Sequence, residues 1–437
     1  MREPYTEFIT HASRQLAAVL LAELSPEQWQ RVQLADHDAA TLLRAVGREA
    51  MQIVFATLAE RVTDEAKQAG YRVERRPSIR VEVLFGAIEF ASPYLYQAGG
   101  GLRPVAARLG ITHGTRTPAV ERALTDFGAE ESFAHAAERF AEHYGWEIGA
   151  STVLRVVESV AADTARYVEQ RLAAASPQWD VALAERRGVS ELLVELDGCE
   201  IRTVVCATER DAQDRVVKRT RQLEWKEVRV GLAGRLESAR RTFVAQLGSY
   251  PPVCAKLFQA ALVEGLSPRT KVIAVADGGQ GLREELATQF PQLQFILDKM
   301  HLLQHLHETA EALALTGESR TKWVADKIER LSAGRVQAVI TELTRQRKRC
   351  DRVRRLTAYL TRFHDAVCYD DYQARGYPVG SGEVESAHRY IPQKRLKIPG
   401  ASWKPETVNQ LLALRLIRAN GWWADFWQQR QAEFLAA

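Results

Sequence analysis

Asp197 follows Leu-Leu-Val-Glu-Leu, Asp277 follows Val-Ile-Ala-Val-Ala, and Glu385 lies inside Gly-Ser-Gly-Glu-Val-Glu-Ser. Carboxylates are hard oxygen donors, and a convergent set of them holds divalent cations of the magnesium type. Two-metal phosphoryl transfer needs such a set, with the cations about 4 Å apart so that one activates the attacking oxygen and the other stabilises the leaving one. It requires no serine or cysteine nucleophile. Glycine follows both acids, as Asp197-Gly198 and Asp277-Gly278-Gly279, which lets backbone or substrate approach where a side chain would obstruct. Each Asp-Gly taken singly is an ordinary turn signal; the trio points to metal-assisted chemistry on a phosphodiester.

These acids need rigid elements to position them. Strand-like runs span Leu192 to Leu196, Ile201 to Ala207, Lys226 to Leu232, Thr242 to Leu247, Lys271 to Ala276 and Leu293 to Leu297. Helical segments from Pro251 to Leu266 and Gly281 to Phe290 alternate with them, so a mixed sheet with crossover helices is expected. Asp197 and Asp277 then sit at strand ends. Glu385 opens a helix. Glu383 competes for its place, but residues two apart on a helix point to nearly opposite sides, so only one can face the sheet.

The first seventy residues read as helical, with Leu43, Val46, Ala50, Ile53, Val54, Leu58 and Val62 at helix spacing despite Gly47. Packing within a bundle and self-association both account for that stripe. Alternation from Ser78 to Tyr96 around Gly86 predicts a hairpin, and Gly99 to Gly101 break the chain after it. Two helices over 132–144 and from 151 onward, separated by a turn containing Gly145 and Gly149, have helix-turn-helix proportions. Ser151 is a plausible N-cap there. Thr152 and Arg155 would lie near the start of the second helix, where a recognition helix meets the major groove. Residues 300 to 376 look entirely helical and contain Arg345-Gln-Arg-Lys-Arg-Cys-Asp-Arg-Val-Arg-Arg355, seven positive side chains against one acid. That imbalance favours phosphate contact by Arg345, Arg347, Lys348 and Arg349 over a merely solvated face.

Composition is that of an ordinary globular chain. Its 437 residues are 46% hydrophobic and 26% charged, enough for several domains and unlike disordered proteins. The net charge of +4 conceals the clustering of 59 Lys and Arg, which matters more for nucleic-acid contact than the total. Five scattered cysteines without a Cys-x-x-Cys pair argue against a disulfide framework and against a cysteine zinc site. His301 and His305, four apart, lack the further ligands zinc needs. No signal pattern is present and no apolar run approaches the roughly 20 residues a bilayer requires. A cytoplasmic, nucleoid-associated protein is expected.

The order strand-Asp-Gly, strand-Asp-Gly-Gly, strand-Asp-x-x-His, helical insertion and Gly-Ser-Gly-x-x-Glu-Ser resembles the DDE transposases of bacterial insertion sequences. More narrowly, it is similar to the ISKra-type branch related to the Mutator-like elements. Leu196 to Arg202, Val275 to Gly279, Leu297 to Leu302 with His305, and Val379 to Ala387 carry the likeness. Arg395-Leu-Lys397, Gly400 to Trp403 and Gly421 to Trp427 extend it. The resemblance implies a multidomain α+β protein in which an RNase H-like catalytic core is interrupted by an all-α insertion. It implies a helical region at 1–75, a hairpin and Gly-rich connection at 76–114, and a helix-turn-helix DNA-binding domain at 115–180. The core would be 181–300 with 377–437, and the insertion 301–376.

Motif position assigns Asp197, Asp277 and Glu385 as catalytic ligands of two magnesium or manganese ions, and gives Asp298 and His301 supporting roles. Lys394, Arg395, Lys397 and Lys404 follow closely enough to hold phosphates beside the metals, while Trp403 would fill core or stack on a base. The implied activity is binding of terminal inverted repeats, strand cleavage and transfer into target DNA, by a homodimer or larger assembly. An RNase H-like nuclease that does not transpose, or a DNA-binding regulator descended from a transposase, would share much of this pattern. Related chains often carry a cysteine pair after the hairpin. Here Tyr94-Leu-Tyr-Gln-Ala-Gly-Gly-Gly101 stands instead, so that region must fold by packing alone.

Overall fold

The computed structural model describes residues 3–175, 188–211, 213–346 and 350–436. Arg347, Lys348 and Arg349 therefore lie outside the described residues. The chain divides into two compact units, Met1–Val157 and Glu158–Ala437.

The first unit opens with helices α1 (Glu3–Ala22) and α2 (Ala35–Gln68), joined by a 3-10 turn over Pro26–Leu34. Six short strands follow: β1 (Arg72–Arg75), β2 (Ser78–Val83), β3 (Gly86–Ala91), β4 (Tyr94–Gln97), β5 (Gly100–Leu102) and β6 (Thr115–Arg116). They form two three-stranded sheets, ordered β1-β4-β5 and β3-β2-β6. Alternation in β2 turns Ile79, Val81 and Val83 inward, where they meet Ile88, Phe90, Val105 and the end of α2 at Ala59 and Val62. The expected hairpin forms at Gly86. Gly99 and Gly100 do not break the chain: with φ of 123° and 152° they turn β4 tightly into β5.

The apolar stripe on α2 is only partly packed. Leu43, Val46, Ile53, Val54 and Leu58 are exposed, and full burial begins at Ala59. Length explains this, because the 34 residues of α2 make a helix about 50 Å long whereas a six-residue strand covers only about 20 Å. Gly47 is tolerated in the helix because the ring of Phe85 lies where its Cβ would be.

Helices α3 (Pro104–Leu109), α4 (Pro118–Gly128), α5 (Phe133–Tyr144) and α6 (Ala150–Ala173) complete this part. The Ser132 side chain caps α5 by accepting the His135 N–H at 3.2 Å, and Gly145 ends that helix in the left-handed region. Helix α6 starts one residue before Ser151, and the Gly149 carbonyl accepts the Thr152 and Val153 amides, so Ser151 is not the N-cap. Gly128 of α4 leaves room for Val153 and Val157 of α6 to pack against it.

The second unit is built on a five-stranded sheet ordered β11-β10-β7-β8-β9. Its strands are β7 (Glu191–Arg210), β8 (Val216–Arg235), β9 (Thr242–Leu247), β10 (Lys271–Ala276) and β11 (Leu293–Leu297). Antiparallel pairing joins β7, β8 and β9; β10 runs parallel to both β7 and β11. The last three strands fall where the sequence places them. The first two runs instead merge: β7 continues straight through Asp197 and Gly198, so Asp197 is in mid-strand, not at a strand end. Backbone pairing of Asp197 with Val230 and Gly198 with Arg229 keeps this Asp-Gly extended, overriding its turn preference.

Crossovers are made by α7 (Tyr250–Val263) and α8 (Leu282–Gln289). After β11 come α9 (Lys299–Ala312), α10 (Gly317–Ser332), α11 (Val336–Gln346), α12 (Asp351–Arg362) and α13 (Tyr369–Ala374), matching the all-helical reading of 300–376. The chain then returns through α14 (Gly382–His388), a π-helical turn over Arg389–Gln393, α15 (Pro405–Ala419) and α16 (Trp423–Ala436). The end of α6 packs here, with Tyr167 edge-on to Phe426 at 5.4 Å between centroids. No described helix is long and apolar enough to cross a membrane.

Candidate active site

The pairing of β10 with β7 sets Ala276 opposite Leu196. Asp277 is the first residue past the end of β10 and so comes close to Asp197 of β7, the two strands running about 4.8 Å apart up to that point. Residues in register on neighbouring strands project to one face, and the two carboxylates repel each other. Burial pushes the Asp197 pKa up, the Gly198 N–H bonded to its Oδ1 at 2.7 Å opposes that rise, and the Asp277 charge adds to it. His301 offsets part of the effect. Glu227 on β8 joins the same field: burial raises its carboxyl, with the charges of Asp277 and Asp197 contributing.

Two further side chains crowd the Asp277 turn. Tyr359 of α12 occupies the space where Gly278 would carry a Cβ, and the Tyr250 hydroxyl at the start of α7 does the same at Gly279. At Gly198 the blocking group is the Glu227 carboxylate. The glycines after the acids thus make room for the protein's own side chains. Burial, aided by the Asp277 charge, raises the phenols of both tyrosines, so they stay neutral beside the carboxylates.

Asp298 is fully buried and has both oxygens engaged. Its Oδ1 accepts the His301 N–H at 2.8 Å, capping α9, while its Oδ2 accepts the Ser381 N–H at 2.6 Å and the Ser381 hydroxyl at 2.8 Å. It clasps the Gly-Ser-Gly loop to the end of β11. Glu195, two residues before Asp197, fixes the same loop from the sheet by accepting the Val384 N–H at 2.8 Å. Burial lifts the Glu195 pKa to about 8. A charged residue inside the apolar run Leu-Leu-Val-Glu-Leu is the sequence signal for Glu195; nothing in the helical insertion flags Tyr359.

These contacts orient α14. Glu383 is taken by Arg241, which donates to it at 2.6 and 2.8 Å. Glu385 is exposed and makes no ion pair among the described residues. It lies within electrostatic range of His388, whose Nε2 is 3.5 Å from the Asp197 Oδ2 and whose pKa burial lowers to about 4. Asp197 and Asp277 are adjacent, and α14 carries Glu385 toward the His388 side of Asp197. Among the described residues no three His, Cys, Asp or Glu side chains are grouped so that they could hold a metal ion. What the fold brings together is the pair Asp197 and Asp277, with Glu385 on the helix that follows the clasped loop.

The basic residues separate into groups. Lys394, Lys397 and Lys404 are exposed, and the Lys397 charge reaches both His388 and Cys199. Arg395 does not belong with them: it is 1% exposed, stacks on the Trp403 ring at 4.7 Å, and burial lowers its pKa to about 10. A side chain enclosed this way cannot reach a phosphate. Trp403 donates to the Leu396 carbonyl at 2.8 Å and bridges β7 through its backbone, so its role is packing and alignment. Arg345 is exposed at the end of α11. In the first unit Arg155 is exposed and bonds the Ser151 carbonyl and Thr152 hydroxyl, each at 3.3 Å.

The chain belongs to an uncharacterised protein family, UPF0236, which matches residues 27–431. No curated protein matches it. Among solved structures it is similar to the Drosophila P element transposase strand transfer complex, at 12% identity over 76% of this chain and 84% of that one, with a TM-score of 0.23.

Proposed function

We propose that this protein is a DNA transposase of the DDE type, of the ISKra-like branch, acting by strand cleavage and strand transfer. The observation that carries the reading is the parallel pairing of Ala276 with Leu196, which brings the next residues, Asp277 and Asp197, close enough for the charge of one to act on the other, beside a buried clasp that holds the Glu385 helix. Three antiparallel strands followed by two parallel ones, in the order β11-β10-β7-β8-β9, agree with an RNase H-like core.

In this reading Asp197, Asp277 and Glu385 hold magnesium or manganese. When bound, the cations supply activation of the attacking oxygen and stabilisation of the leaving one. The protein's own groups position the rest. Asp298 and Glu195 fix the loop and helix of Glu385, while Tyr250 and Tyr359 pack the Asp277 turn so that its carboxylate cannot swing away. Lys397 and Lys404, with Lys394 near them, supply positive charge for the phosphates flanking the scissile bond. Thr152 and Arg155 contact element ends, and two copies act together so that both ends are processed.

The test is incubation of the purified protein with magnesium and duplex DNA bearing the ends of its own element, scoring both nicking and joining. Activity that is lost in Asp197→Asn, Asp277→Asn and Glu385→Gln is the expected result. Cleavage that survives all three substitutions would remove the site, and cutting without joining would make the protein a nuclease.

A further inference from the structure

The β7–β8 hairpin extends far beyond its sheet. Pairing with β10 stops at Leu196 and pairing with β9 begins only at Val228, yet β7 and β8 remain paired to Arg210 and Val216. Past the single bridge from Thr203 to Trp403, every residue of Val205–Arg210 and Val216–Leu223 is exposed except Thr220. The result is a free two-stranded ribbon.

Its two faces differ in charge. Directly opposed residues share a face, so one face carries Arg202 with Trp225, Val204 with Leu223, Cys206 with Arg221 and Thr208 with Arg219. Over these four pairs the face has three arginines and no acid; the next pair on it toward the sheet is Glu200 with Glu227. The other carries Thr203 with Glu224 and Glu209 with Lys218, leaving it close to neutral. Among the described residues no carboxylate pairs with Arg202, Arg219 or Arg221, and Arg221 donates to the Ser402 hydroxyl. Around the tip the charges cancel instead, through Arg210 with Asp214 and Arg215 with Asp211. Trp225, 65% exposed beside Arg202, adds a planar apolar surface.

We infer that this ribbon is a DNA-binding arm that enters the major groove of a duplex with its arginine face toward the phosphates. The B-form major groove, about 12 Å wide, admits a two-stranded β-ribbon, whereas the deep, narrow major groove of A-form RNA does not. At about 3.3 Å per residue, the arginine face runs from about 17 Å to about 36 Å along β7 from Asp197. Alternation along β7 sets that face opposite the one that carries Asp197, so the arm grips duplex away from the acids. This rests on the proposal that the acids act on DNA, but it concerns binding and is measured separately from cleavage.

The measurement is fluorescence anisotropy of a labelled duplex about three helical turns long, titrated with full-length protein over a series of salt concentrations. Each phosphate contact contributes about 0.9 to the slope of log affinity against log salt. The triple substitution Arg202→Gln, Arg219→Gln, Arg221→Gln lowers that slope by about 2 to 3 and weakens binding at least about tenfold. Arg219→Gln alone, at an exposed position on the ribbon, lowers it by about 1. The opposite-face pair Glu209→Gln, Lys218→Gln leaves it unchanged. An unaltered slope in the triple variant, or equally tight binding of an RNA duplex, would overturn the arm. Loss of slope in a protein that cuts no DNA would keep the arm and overturn the proposed activity.

Discussion

Replacing Asp298 by alanine tests whether this residue fastens the site rather than ligating within it. In the fully buried pocket its carboxylate accepts three hydrogen bonds, one from the His301 amide and two from Ser381. Loss of the helix cap costs about 1 kcal/mol. The Ser381 amide and hydroxyl, on a residue itself only 2% exposed, are left without an acceptor at roughly 1–3 kcal/mol each. Relief of the desolvation of Asp298 offsets part of this, leaving an expected loss of about 3 kcal/mol or more. For a domain of this size that lowers Tm by about 10 °C. Urea denaturation followed by circular dichroism reads the change directly. Because Asp298 and Ser381 share their bonds, Asp298→Ala and Ser381→Ala should be non-additive, with a coupling of about 1–2 kcal/mol. A loss under about 1 kcal/mol, or strict additivity, would refute the clasp.

Asp197→Asn, Asp277→Asn and Glu385→Gln should each lower magnesium-dependent DNA cleavage at least about a hundredfold, the upper end of what outer partners of a metal site cost, with unfolding midpoints at or above the wild-type value. Glu383→Gln should do the reverse, lowering stability through its Arg241 pair by about 0.5–1 kcal/mol because the carboxylate is half-exposed, while cleavage stays within a few-fold. Gly278→Ala forces a methyl into the Tyr359 ring and should destabilise by about 1–3 kcal/mol; Tyr359→Ala in the same chain should recover part of that loss, as a double-mutant cycle would record. Chelation of divalent cations should abolish cleavage yet leave duplex binding by anisotropy intact, since the arm acts through its arginines.

The apolar runs at β9, β10 and β11 were legible because buried strands have little freedom in composition, and the helical insertion because its periodicity is sustained. The fate of individual polar side chains was not. Arg395 reads as one of a basic group, and only its enclosure under Trp403 removes it. The Asp197-Gly198 pair reads as a turn until pairing with β8 holds it extended.

By itself the sequence determined the strand-borne aspartates and the Gly-Ser-Gly-Glu motif, because local pattern fixes which residues stand on which element. Tertiary structure decided which of them meet. Parallel register put Asp277 beside Asp197, Arg241 took Glu383 and left Glu385, and Tyr250 and Tyr359 filled the glycine gaps. It also decided that β7 and β8 run past their neighbours as a ribbon, since cross-strand pairing, which sorts three arginines onto one face, is set by partners distant in the chain.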